Sequence, residues 1–112
     1  MQHYDSDTRY IFNGFARNYV ATSSVMYEMA ELQCRWLGDI VASYREELKG
    51  KDYFKVVECK LNGGGGCVVA ITTEPEGIVV RQDVPFTDLT RNVKWWLVSE
   101  GDLEILMKPE DY

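Results

Sequence analysis

VMYEMAELQCRWLGDIVASYREELKGKDYFKVVECKL, residues 25–61, changes its hydrophobic period near residue 50. Up to that point Val25, Met29, Leu32, Trp36, Ile40, Tyr44 and Leu48 recur every three or four positions, which places them on one face of a helix. From Phe54 onward the chain becomes short β-rich runs separated by turn residues. The switch predicts an α+β fold in which one long, or broken, amphipathic helix packs on an antiparallel sheet.

Working forward from Gly50, Phe54–Leu61 and Cys67–Thr73 read as two antiparallel strands joined by a loose hairpin at Asn62–Gly66. Glu74-Pro75-Glu76-Gly77 is a second turn, leading to a third strand over Ile78–Val84. Pro85 ends that strand, and Phe86–Asn92 is a longer loop. A fourth strand, Val93–Val98, turns at Glu100-Gly101 into a fifth, Leu103–Met107, which Pro109 closes. The expectation is a five-stranded meander over residues 54–108.

Working backward from Val25, the helix is expected over residues 23–49. Thr22, Ser23 and Ser24 offer a hydroxyl cap, Glu28 falls near the first turn, and Gly38 is the candidate for a break or kink. Residues 1–22 mix Tyr4, Tyr10, Phe12, Phe15 and Tyr19 with polar residues and show no sustained period. They read as an irregular aromatic arm with a short strand around Arg9–Phe12.

The 112 residues suit one domain with a single two-layer core. Apolar residues make up 46% and charged residues 27%, close to the average of globular proteins, so disordered and fibrous classes are set aside. No apolar run approaches the roughly 20 residues that span a bilayer, and MQHYDSDTRY lacks the build of a signal peptide. The expectation is a cytoplasmic protein that does not contact membrane. Its net charge of −6 is uneven: residues 1–73 carry nine acids and eight bases, residues 74–112 nine acids and four bases. An acidic carboxyl-terminal half disfavours direct nucleic-acid binding and suits a basic partner.

Candidate chemistry is sparse. The single histidine, His3, lies at the amino terminus, where a catalytic base is poorly held. Cys34, Cys59 and Cys67 have no C-x-x-C spacing, so they read as structural thiols and not as a zinc site. Cys59 and Cys67 flank the hairpin turn and could face each other across the strands. Gly63–Gly66 has neither the following Lys-Ser/Thr nor the helix of a phosphate loop. The carboxylates Asp39, Glu46, Glu47 and Asp52 are spaced as a solvated helix face. The expectation is a non-enzyme with no cofactor and no metal.

Strand alternation supplies the candidate site. Val93, Trp95 and Leu97 share one face, and Leu103, Ile105 and Met107 are matched to it as the core-facing set of the next strand. Trp96 then points the other way, with Val98, Leu106 and Val79 as apolar company beside Lys94, Arg81, Asp83 and Glu104. A tryptophan among aliphatics calls for a cover, either the aromatic arm of the same chain or a partner surface. Trp96, Val98, Leu106, Glu104, Asp83 and Val79 are therefore the candidate partner-binding residues.

From Phe12 to the carboxyl terminus the chain resembles a bacterial family of unknown function (DUF6876-like). The likeness lies in Phe12-Asn13-Gly14, in the run from Trp36 to Tyr44, WLGDIVASY, in Pro85-Phe86-Thr87-Asp88, and in the ending LMKPEDY from Leu106 to Tyr112. Arg35 stands where the family usually has an aromatic residue. The resemblance implies a setting on phages, plasmids and integrated elements, and implies no activity. With the residues above it leads to one main expectation and two alternatives. The first is a protein-binding module, an inhibitor or modulator of a host defence system that acts through an acidic, tryptophan-bearing sheet surface. The second is a structural homo-oligomer joined through a sheet edge or the Trp96 face, and the third a small metal-dependent enzyme.

Overall fold

The structure, a computed structural model, describes residues 9–11 and 18–112. Its elements are β1 (Arg9–Ile11), β2 (Tyr19–Thr22), α1 (Ser23–Leu32), α2 (Arg35–Ser43), α3 (Arg45–Leu48), β3 (Phe54–Leu61), β4 (Cys67–Thr73), β5 (Gly77–Val84), β6 (Val93–Glu100), β7 (Leu103–Met107) and a closing 3₁₀ turn (Pro109–Asp111). The α+β class and all five expected strands are present. The Phe12-Asn13-Gly14 motif, His3 and most of the aromatic arm lie outside the described residues.

The sheet is mixed, not an antiparallel meander of five strands. Its order is β2-β7-β6-β3-β4-β5, extended by β1 beside β2. β3, β4 and β5 form the expected meander, but β6 pairs with β3 on its far side, and β2 adds parallel to β7. Two links show how the chain returns from β5 to β3. The Thr87 amide donates to the Gly65 carbonyl at 2.9 Å, and the Leu61 amide donates to Asn92 Oδ1 at 2.9 Å. The loop after β5 thus passes over the glycine-rich hairpin and delivers Val93 to the open edge of β3.

That crossing explains the glycines. A Cβ on Gly66 would lie 2.3 Å from the Val84 carbonyl oxygen and 2.6 Å from that of Pro85, both backbone atoms that cannot swing aside. Asn62 Oδ1 accepts from the amides of Gly64 and Gly66 at 2.8 and 3.3 Å and pins the turn from within. Gly66→Ala is expected to destabilise the protein by about 1–3 kcal/mol, because the carbonyls at the end of β5 must move. Gly64→Ala, whose added Cβ would meet only the Asn62 side chain at 3.5 Å, is expected to cost far less. Urea unfolding of the two variants checks the contrast.

The helical segment is three short helices. The break falls at Gln33-Cys34 and not at Gly38, which is buried inside α2. Gln33 takes a left-handed conformation (φ 54°), and the Cys34 amide closes the turn on the Met29 carbonyl at 2.9 Å. This non-helical step resets the phase of the apolar stripe. α1 buries Val25 and Met29, whereas α2 buries Leu37 and Val41 and leaves Trp36 and Ile40 partly exposed. The hydroxyls of Thr22 and Ser24 do not cap α1. They donate to Asp111 Oδ2, which also accepts from the Lys108 amide at 2.8 Å, so one carboxylate ties the carboxyl terminus to the start of α1. The stretch around β2, expected to be irregular, is a fully buried strand.

The main core lies between the helices and the inward face of β3, β4 and β6, with Trp95, Leu97, Val57, Val69 and Ile71 fully buried. Cys34, Cys59 and Cys67 sit in it as free thiols, with Cys59 Sγ 3.1 Å from Cys67 Sγ. Burial, reinforced by the charge of Glu28, pushes the Cys34 thiol up from 9.0 to about 11. A thiol raised in this way contributes stability that is complete below pH 9 and lost as pH rises toward 11. Cys59 and Tyr19, also pushed up by burial, add to the resulting fall in melting temperature and Lys55 opposes it, so Cys34→Ala should lessen the fall by on the order of 5 °C without abolishing it. Scanning calorimetry from pH 7 to beyond the window measures both.

Candidate protein-contact surface

The β6–β7 register decides which residues share the outer face of the sheet. Leu97 is paired with Leu106, Ser99 with Glu104, and Trp96 with Met107. Glu104 and Leu106 therefore face the helices, while Leu103, Ile105 and Met107 share the outer face with Trp96. This reverses the expected assignment of β7. Alternation misleads here because both faces of the strand are apolar and buried: Leu106 is sealed under the helices, and Ile105 and Met107 are 1% exposed on the other side. The lone charge, Glu104, points inward because a buried lysine waits there.

That lysine is Lys55, 2% exposed. Its Nζ lies 3.5 Å from Ser99 Oγ and 3.9 Å from Glu104 Oε1, and the Ser99 hydroxyl donates to Glu104 Oε2 at 2.7 Å. Burial holds the Lys55 ammonium below the ordinary lysine range, and Glu104, then Asp52, pull it back toward that range. The same carboxylate adds to the effect of burial in pushing the Tyr19 phenol up. A cleft of about 390 Å³ lined by Tyr19, Arg45, Glu46, Asp102 and Glu104 opens beside this cluster. Glu28, expected near the first turn of α1, is likewise buried and structural: it accepts from the Trp95 indole N–H at 2.9 Å and from Arg91 at 2.9 Å. Among the described residues no group of three or more His, Cys, Asp or Glu side chains is placed to hold a metal ion.

Only Trp96 and Val98 of the expected contact residues stand together on the outer face. Leu106 and Glu104 are on the helix side, and Val79, next to the register shift between β4 and β5, packs against the main core. Asp83 shares the outer face, but on β5, three strands from Trp96, where it pairs with Arg81 at 3.6 Å. Residues absent from the expected set complete the surface. One row runs Met107, Trp96, Val56, Thr72, Ile78 across five strands, and the next places Ile105, Val98 and Phe54 side by side.

Exposure differs between the two ends of the first row. Met107 is 1% exposed, Trp96, Val56 and Thr72 are half-buried, and Ile78 is 61% exposed. Trp96 marks the limit of the cover. Phe54 stands edge-on to it at 5.0 Å between ring centroids and Tyr112 at 5.7 Å, so the carboxyl terminus, not among the expected covers, supplies part of its cover. Beyond Trp96 the face formed by β3, β4 and β5 carries Val56, Val68, Ala70, Thr72 and Ile78 with no cover among the described residues. It is not acidic: Lys60, Lys94 and Arg81 outnumber Glu58 and Asp83, with a Lys60–Glu58 contact at 4.0 Å. Four acids of the carboxyl-terminal half sit at or beside turns instead: Glu74 and Glu76 between β4 and β5, Glu100 at the end of β6 and Asp102 in the turn to β7. No described helix is long and apolar enough to cross a membrane.

A protein of unknown function from Enterococcus faecalis has a crystal structure that matches this fold with a TM-score of 0.62, at 16% identity, over 100% of this chain and 97% of that one. That likeness concerns the fold alone. No curated protein matches the sequence. A family model described as a family of unknown function (DUF6876) covers residues 1–112, and the chain belongs to that family.

Proposed function

We propose that the protein is a non-enzymatic binding module that engages another protein through the outer face of β3, β4 and β5, with Trp96 at its margin. The observation that carries this reading is the difference between the ends of the row: it is apolar except for Thr72, buried at Met107 and 61% exposed at Ile78. A partly exposed, largely apolar sheet face rimmed by charges of both signs has the composition of a protein contact surface, with an aromatic anchor at its edge. The narrower version, an inhibitor or modulator of a host defence system, draws on the mobile-element setting that the family resemblance implies. A basic target matched to an acidic sheet loses its support, because this face carries three bases against two acids.

The test is comparative affinity capture. Wild-type protein, Ala70→Arg and Val56→Lys on the face, and Asp39→Lys on the exposed side of α2 are each used as bait. The proposal expects a protein retained by wild type and by Asp39→Lys and lost with both face variants, each of which keeps a wild-type circular dichroism spectrum. Capture that ignores the face substitutions, or nothing retained by folded wild-type bait, overturns it.

A further inference from the structure

We propose that the outer edge of β5, unpaired among the described residues, is a self-association surface, joining two copies of the chain antiparallel about Gln82. Which backbone groups face that edge follows from the ladder. The Leu61 amide is directed to Asn92 on the β6 side, so Lys60, and with it its partner Val68, turns its backbone toward the β3–β4 ladder. Cys67, Val69 and Ile71 then face β5, and their partners Val84, Gln82 and Val80 face back. The Val84 carbonyl beside Gly66 agrees with this phase. Arg81 and Asp83 are left with backbone N–H and C=O groups directed outward from the last strand of the sheet, and both side chains are well exposed. An unpaired edge of this kind is a template for another strand.

Charge selects the occupant and the register. An antiparallel partner must match outward-facing residues with outward-facing residues, so a second copy can pair Arg81 with Arg81, Asp83 with Asp83, or Arg81 with Asp83. The first two place like charges directly opposite, which is unfavourable. The third places Arg81 over Asp83 twice, with Gln82 on the two-fold axis and Val80 opposite Val84 on the helix side. Arg81 and Asp83 already pair within one chain at 3.6 Å, so self-association exchanges those pairs for equivalent ones between chains. Pro85, which has no N–H, falls opposite Val79 and ends the ladder. The joined sheet would set the two outer faces side by side. The inference does not depend on the partner-contact reading, since Arg81 and Asp83 lie at the sheet edge and Val56 and Ala70 within it.

Sedimentation equilibrium of the full chain, up to about 1 mM, reads the association directly. The expected result is a mass that rises with concentration toward twice the 12.9 kDa of one chain. Arg81→Asp and Asp83→Arg should each weaken association by roughly tenfold or more, and the combined R81D/D83R exchange should restore it. Circular dichroism of each variant confirms that the fold is kept. A wild-type chain that stays monomeric throughout overturns the proposal. So does an association that ignores the single substitutions or that the combined exchange fails to restore.

Discussion

Glu104→Leu is expected to destabilise the protein by about 3–5 kcal/mol, although the residue replaced is a carboxylate on a strand otherwise made of Leu, Ile and Met. Its removal leaves the Lys55 ammonium, 2% exposed, without its nearest counter-charge, and leaves the Ser99 hydroxyl without its acceptor. A buried charge with no partner is far more costly than no charge at all. Lys55→Met combined with Glu104→Leu should therefore recover most of the loss, giving a double variant close to wild type or above it. The pH dependence carries the same signature. Lys55 is a base held below its ordinary value of 10.5, so the unfolded chain binds the proton more tightly and stability from this group rises with pH toward 10.5. The deficit of the single variant relative to wild type should shrink along that climb. Urea titrations of the four proteins of the cycle at neutral and alkaline pH measure both effects. A double variant as unstable as the single one would contradict the account of this cluster.

The second large effect separates two adjacent tryptophans. Trp95→Ala is expected to cost about 3–5 kcal/mol, because the side chain is fully buried and its removal opens a cavity between the helices and the sheet. The loss also strips Glu28 of its indole donor, leaving Arg91 as its remaining partner. Trp96→Ala removes a half-buried ring held edge-on by Phe54 and Tyr112, and is expected to cost about 1–2 kcal/mol. Equal losses at the two positions would mean that the faces are wrongly assigned. Thermal unfolding followed by circular dichroism distinguishes the cases.

How far the fold can be read from its sequence depends on how local the determining interaction is. The strands from β3 to β7 are legible because turn residues punctuate them, and the opposite facing of Trp95 and Trp96 follows from a period of two. The order of the strands is not legible. It depends on Thr87 meeting Gly65 and Asn92 meeting Leu61, contacts between a loop and a hairpin that no periodicity encodes. β2 carries no such signal, because its four residues are all buried and leave no alternation to detect. The face of β7 was misjudged because Glu104 looks like a solvent residue until Lys55 is seen beneath it. The same error moved Leu106 and Glu104 into the candidate surface and kept Val56, Ala70 and Thr72 out of it. The alternation of β3 and β4 is the signal that places those three on one face.

Photo-crosslinking from the outer face tests the central claim most directly. A photoreactive residue placed at Thr72, on the outer face of β4, is compared in cells with the same residue at Asp39 on the outer side of α2. The account predicts a discrete adduct with another protein from position 72 and none from position 39. Folded protein that yields no adduct from position 72, or the same adducts from both positions, would contradict it.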